Sequence, residues 1–197
     1  MPAKRIFVLN GHPAQTSLSR TIAETYVEAA QAAGHEVRIT HLRDLAFDPD
    51  NGFAGYDEQK PLEPDLIAFR ADIEWAEHFV LCTPMWWGGL PAKLKGVFDR
   101  SFHPGWAFDT SQRTWIGMPL PLLTGRSARA FVTSDTPTLY FGLLYRKALM
   151  RQIKGQIFEF VGMRPARVTN FAPASHPKDG AVERWLKEVA RLGAAAG

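Results

Sequence analysis

Short, uniformly apolar runs alternate along the chain with longer stretches whose apolar positions recur at helical spacing. Residues 5–9 (RIFVL) form such a run, ended by Asn10-Gly11, as a buried strand would be. From 18 to 33, Leu18, Ile22, Tyr26, Ala29, Ala30 and Ala33 share one helical face, and Gly34 supplies a stop. Residues 37–42 alternate as a second strand, and 65–75 are amphipathic. Residues 78–83 (HFVLCT) read as a third strand, and Pro91 opens a helix to about 102. A fourth strand at 128–133, helix within 143–161, a fifth strand at 167–171 and a closing helix at 181–192 complete the series. Residues 43–64 read as a long loop. Residues 103–126, rich in Gly and Pro, show no clear period. Strands alternating with helices predict an α/β fold, a doubly wound five-stranded parallel sheet with helices on both faces. One domain spanning 1–197 accommodates it.

Ligands of such sheets sit at the carboxyl ends of the strands, near the point where strand order reverses. Three loops qualify: 10–17, 84–90 and 134–142. The first, NGHPAQTSLS, has neither the glycine pattern of a dinucleotide fold nor that of a P-loop. Its hydroxyls and the following helix start can still form an anion site, to which His12 adds a donor. The plainer reading makes Thr16 or Ser17 a helix cap. The second loop, PMWWGGLP, sets Trp86 and Trp87 before Gly88-Gly89. Either tryptophan alone suits a core. Both together, followed by a pliable backbone, describe a berth for a flat heterocycle.

Composition narrows the function. The 23 basic and 20 acidic residues give a net charge of +3 and are interspersed, so no nucleic-acid patch is expected. Cys82 is the only cysteine, which excludes an intramolecular disulfide, and it reads as a small buried strand residue. The first apolar run has four residues, too short for a signal peptide, and no stretch reaches membrane-span length. A soluble, cytoplasmic protein without membrane insertion is expected. The six histidines lack metal-ligand spacing, so no metal site is expected. Arg146, Lys147 and Arg151 form a basic cluster, read either as a solvated helix face or as facing a pyridine-nucleotide phosphate.

The segment P-M-W-W-G-G-L-P-A-K-L-K-G-V-F-D-R-S-F, with G-W-A-F beyond it and N-G-H-P-A-Q-T-S-L-S near the start, resembles the flavodoxin-like NAD(P)H:quinone oxidoreductase family (DT-diaphorase and its smaller bacterial relatives). The resemblance implies a flavodoxin-like fold and a flavin, FMN or FAD. NAD(P)H and a quinone-like small-molecule acceptor would use that flavin in turn, by a ping-pong hydride mechanism. It places His12, Thr16, Ser17, Leu18 and Ser19 on the flavin's phosphate-bearing side. Pro84, Met85, Trp86, Trp87 and Gly88 fall along its ribityl chain and ring, with Trp87 also facing substrate. Thr133, Ser134 and Asp135 fall at the flavin edge, and Tyr140 near N1/O2 as the catalytic donor. Phe108 would lie over a neighbouring subunit's flavin, which implies a homodimer. Where relatives often have Gly-Gly, this chain has Asp135-Thr136, and a histidine some relatives place after the tyrosine is absent. Two other readings share these residues: a flavodoxin-type electron carrier, and a flavin- or NAD(P)H-sensing regulatory subunit of a membrane transporter.

Overall fold

The computed structural model describes residues 2–53 and 58–197. Five parallel strands, β1 (Arg5–Asn10), β2 (Glu36–His41), β3 (His78–Pro84), β6 (Ser127–Thr133) and β7 (Ala166–Phe171), run in the order β2-β1-β3-β6-β7. Between them lie α1 (Leu18–Ala32), α2 (Pro64–Trp75), α3 (Ala92–Ser101) and, before β7, the short helices α4 (Thr138–Leu143) and α5 (Ala148–Arg151). A π-helical stretch (Gln152–Glu159) continues α5, and α6 (Ala181–Ala194) closes the fold. The expected five-stranded parallel sheet is the one observed.

Each interior strand is apolar on both faces because each face meets a separate core. Ile6, Val8, Val80, Cys82 and Phe131 pack with Ile22 and Tyr26 of α1 and Val189 of α6. Phe7, Leu9, Phe79 and Leu81 pack on the other side with Phe69 and Ile73 of α2, Leu94 and Val97 of α3, and Ile153 and Phe158. Burial raises the Cys82 thiol pKa, so this residue is a small core side chain, as expected.

Two segments differ from the sequence pattern. The aperiodic stretch 103–126 contains a hairpin, β4 (Phe108–Arg113) and β5 (Pro119–Pro121). Its first strand is mostly polar and exposed, and its second holds two prolines, so neither alternation nor strand propensity betrays it. The helix expected within 143–161 is broken at Arg146 and Lys147, whose φ angles are +47° and +53°. Neither is a residue type that announces such a break.

The long loop before α2 is fastened by an unusual group. Arg100 of α3 is completely buried. Its Nη1 donates to the Asp48 carbonyl, and its Nη2 donates to the Pro61 carbonyl at 2.8 Å and pairs with Glu63 at 3.1 Å. One guanidinium thereby joins both described ends of the loop to the core. Among the described residues no helix is long and apolar enough to cross a membrane.

His78, at the start of β3, is buried, stacks on Tyr26 and meets the Ser127 hydroxyl through Nδ1 at 2.7 Å. Burial lowers its pKa from 6.5 to about 3. Below pH 6.5 the unfolded chain binds a proton that the folded chain refuses. Stability is therefore full above that pH and falls as pH drops toward 3. His78→Phe, a ring that does not titrate, should give a shallower loss of urea-unfolding stability between pH 6.5 and 4. An unchanged slope would assign the pH dependence to other groups.

Candidate functional site at the strand ends

Strand order reverses between β1 and β3, and the chain leaves them for opposite faces of the sheet: α1 packs on one core and α3 on the other. The two exits part there and form the head of the site. Gly11 keeps the crossing close at this point. Its N–H donates to the Cys82 carbonyl at 2.7 Å, and a Cβ would stand 2.6 Å from Leu94 Cδ2.

The first loop is built from Asn10, whose buried amide oxygen accepts from the His12 N–H at 3.2 Å while its Nδ2 meets His41 Nδ1. His12 Nδ1 accepts from the Ala14 N–H at 3.0 Å, which leaves the ring proton on Nε2. Burial lowers the His12 pKa, so the ring is neutral at pH 7 and acts as a donor. Ser17 caps α1 by accepting from the Arg20 N–H at 3.1 Å; the cap reading holds for it, and its hydroxyl proton remains to be given. Thr16 is exposed and Leu18 half-buried. Among the described residues, no acceptor takes the N–H groups of Gln15, Thr16, Ser17, Leu18 or Ser19. These successive free donors at the positive end of a helix can receive an anion. Ser19 does not face outward. It is buried, with its hydroxyl 3.2 Å from that of Thr133, and so couples α1 to β6.

In the second loop Pro84 ends β3, and the Met85 N–H donates to the Thr133 carbonyl at 2.8 Å. Trp86 and Gly89 exchange both backbone bonds, N–H to carbonyl at 3.0 and 2.9 Å. The two residues between them, Trp87 at φ +50° and Gly88 at φ +75°, make a turn of the I′ kind. Asn-Gly is the easy sequence for this turn, and a tryptophan at its first central position is strained by about 1 kcal/mol or more. Packing does not compensate, because the Trp87 side chain is 106% exposed. Trp86 is 44% exposed, with its ring edge-on to His12 at 5.6 Å. The turn thus carries an indole into open space beside the free helix terminus, and even a Cβ at Gly88 would meet no atom within 4 Å.

The third loop is tied down on its inner side. Ser134 is buried: its N–H donates to the Phe171 carbonyl at 3.0 Å and its hydroxyl to Asn170 Oδ1 at 3.1 Å. Asp135 spends both carboxylate oxygens on Ser175, accepting from its N–H at 2.6 Å and its hydroxyl at 2.7 Å. Those bonds hold the Asp135 pKa below the usual carboxylate range. Tyr140 of α4 is half-exposed, its ring edge-on to Tyr145 at 5.6 Å. A hydrogen bond with Tyr145 raises the Tyr140 pKa, so its phenol keeps its proton. Neither Ser175 nor Tyr145 was singled out from the sequence, where nothing marks them: their partners lie on another loop or across a helix break. Phe108 is largely buried within its own chain, with its ring 5.2 Å from Phe160.

The family described as having a flavodoxin-like fold matches residues 4–192. The chain belongs to this family. It is 29% identical over 125 residues to NAD(P)H dehydrogenase [quinone] 1 of Cavia porcellus, covering 53% of this chain and 45% of that protein. It is 27% identical over 145 residues to the FMN-dependent NADH:quinone oxidoreductase of Alcanivorax borkumensis, covering 64% and 73%. The chain spans about half the length of the mammalian relatives it matches. Among solved structures, the NAD(P)H:quinone oxidoreductase from Methanothermobacter marburgensis superposes with a TM-score of 0.75 at 24% identity, covering 98% of both chains. That likeness carries the flavodoxin-like fold.

Trp87→Asn should leave the melting temperature of the flavin-free protein unchanged or raised, since asparagine suits this turn. A packed core tryptophan would instead cost about 3–5 kcal/mol on truncation. Titration of the variant with FMN should show affinity at least tenfold weaker. Wild-type FMN affinity would separate the strained indole from ligand binding.

Proposed function

We propose that this chain is an FMN-dependent NAD(P)H oxidoreductase acting on quinone-like acceptors. The observation that carries the proposal is the fully exposed Trp87 held in a strained turn beside the unsatisfied N-terminus of α1. A strained exposed side chain persists where a ligand repays its cost. The names of the relatives, quinone dehydrogenases and an FMN-dependent enzyme, agree with the chemistry those groups fit.

When bound, flavin would supply the two-electron redox chemistry between NAD(P)H and the acceptor, used by the two in turn as a ping-pong sequence requires. The free N–H groups of 15–19, the Ser17 and Thr16 hydroxyls and the neutral His12 ring receive the phosphate. The Trp86–Gly89 turn lays an aromatic face and a backbone without side-chain cover along the ring. Thr133, Ser134 and Asp135 support the flavin edge. In this reading Ser134 and Asp135 act through their bonds to β7 and Ser175, presenting backbone groups at a fixed height. Tyr140 Oη holds its proton, with the Tyr145 hydroxyl beside it, and donates toward the negative charge that develops on the reduced ring. Tyr145 thereby takes the place of the missing histidine as the second polar group at that edge.

The exposed Trp115, Ile116 and Met118 at the tip of the β4–β5 hairpin, with Leu139, Leu143 and Leu144 of the α4 segment, form apolar surface that a two-fold partner would cover. A homodimer follows, with the segment carrying Phe108 near the partner's site. Light scattering at micromolar concentration should return twice the 22.0 kDa mass, and a fully active monomer would refute this.

The purified chain should be yellow, or gain thermal stability with FMN. Tyr140→Phe should then slow flavin reduction by NAD(P)H in stopped flow and lower the midpoint potential, with flavin affinity nearly unchanged. Losing one such donor costs about 10²–10³ in rate in a closed site and less at an open one. A colourless protein unaffected by FMN or FAD overturns the proposal, and wild-type reduction kinetics in Tyr140→Phe overturns the role of the phenol.

A further inference from the structure

The outer edge of the sheet carries a concentration of positive charge that the site above does not use. Among the described residues β7 pairs only with β6, and in that parallel ladder Arg129 stands opposite Arg167. Paired residues of parallel strands project from the same face, so two guanidinium-bearing side chains are neighbours. Like charges placed so destabilise a sheet. Lys147, Arg151 and Lys154, from the segment preceding β7, border the same hollow of about 490 Å³, and among the described residues no Asp or Glu lines it. That volume lies within the range of small-molecule sites.

One nearby carboxylate offsets a bordering cation, and another is engaged elsewhere. Glu159 pairs with Lys154 at 2.5 Å. Glu188, whose charge reaches Arg129, accepts from Arg191 Nη2 and Nε at 2.6 and 2.8 Å. Arg129 itself is buried: its Nη1 donates to Thr169 Oγ1 at 3.2 Å and its Nε to a backbone oxygen of Gly197. Burial lowers the Arg129 pKa, and the Arg167 charge pushes in the same direction. No ion pair among the described residues involves Arg129, Lys147, Arg151 or Arg167.

We propose that this hollow binds a phosphate-bearing ligand, with Arg129 and Arg167 as a paired guanidinium floor and Lys147 and Arg151 as its rim. Guanidinium groups suit phosphate because two N–H donors match two oxygens. An anion between Arg129 and Arg167 would turn their repulsion into a shared attraction. Several cations match a ligand with more than one phosphate charge better than a single monoanion. The site is separate from the strand-end crevice. The Arg129–Arg167 pair lies four residues before Thr133–Phe171 in the ladder, about 13 Å at ~3.3 Å per residue. The inference therefore stands apart from the flavin reading.

The competing account is that these cations guard an open strand edge against pairing with other chains. The test uses the purified full chain, with whatever flavin it carries, at constant ionic strength. Calorimetric titration with inorganic pyrophosphate should show saturable binding. Arg167→Gln should weaken it at least tenfold, and Arg184→Gln, an exposed cation of α6, should not. Without ligand, Arg167→Gln should melt at or above the wild-type temperature, because a like-charge contact is gone. Flotation with phosphatidylcholine vesicles, with and without phosphatidylglycerol, separates the sources. Pyrophosphate binding that depends on Arg167 supports a soluble phosphate ligand. Arg167-dependent retention on phosphatidylglycerol without pyrophosphate binding supports a lipid headgroup. Equal responses to pyrophosphate and to chloride or sulfate, or binding unchanged in Arg167→Gln with neither vesicle retaining the protein through Arg167, overturns the proposal and leaves the edge-guard account.

Discussion

Two adjacent parallel strands cannot send both following helices to the same face where strand order reverses, and this constraint shapes the molecule. β1 and β3 are hydrogen-bonded along five register pairs from Ile6–His78 to Asn10–Cys82, yet α1 and α3 belong to opposite cores. The crevice between their exits is a consequence of the topology, whatever residues fill it. Gly11 lets the first loop cross close above the sheet, and a methyl group there would strike Leu94.

Around that crevice the structure separates a rigid floor from an exposed rim. Asn10, Ser19, Thr133 and Ser134 are buried and hydrogen-bonded, Asn10 to the loop after β1, Ser19 to Thr133 and Ser134 to β7. The Asp135–Ser175 contacts add a brace between the loops after β6 and β7. Buried, hydrogen-bonded polar groups hold geometry well because breaking one bond strands a partner. The rim is different: Trp86, Trp87 and Tyr140 expose large rings. Their exposed positions cost stability or contribute little to it. Further from the crevice, Arg100 places a buried charge against loop carbonyls and Glu63, fastening a loop that also packs Leu45, Phe47 and Leu62 on the core.

The fold was legible because the parallel strands are buried on both faces and therefore read as short apolar runs such as RIFVL and HFVLCT. The hairpin 108–121 was not, since a polar edge strand and two prolines carry no periodic signal. The helix break at Arg146-Lys147 was equally silent, because left-handed backbone at bulky basic residues is imposed by surrounding packing and not by the residues themselves. The site was legible as three loops but not as a division of labour. Ser17 and Ser19 look alike in SLS, yet one caps α1 and the other lies inside against Thr133, a difference of helical phase.

By itself the sequence determined the alternation of strand and helix, the three loops at the strand ends and the pairing of two tryptophans with two glycines. These are local features, written in spacing and residue type. The tertiary structure alone decided which groups remain free to bind. Asp135 became a brace because β7's loop brings Ser175 to it. Tyr140 acquired Tyr145 as a neighbour across the end of α4. Arg129 met Arg167 because parallel register sets residues 38 positions apart side by side. Partnerships of this kind depend on distances through space, and a chain's order of residues does not record them.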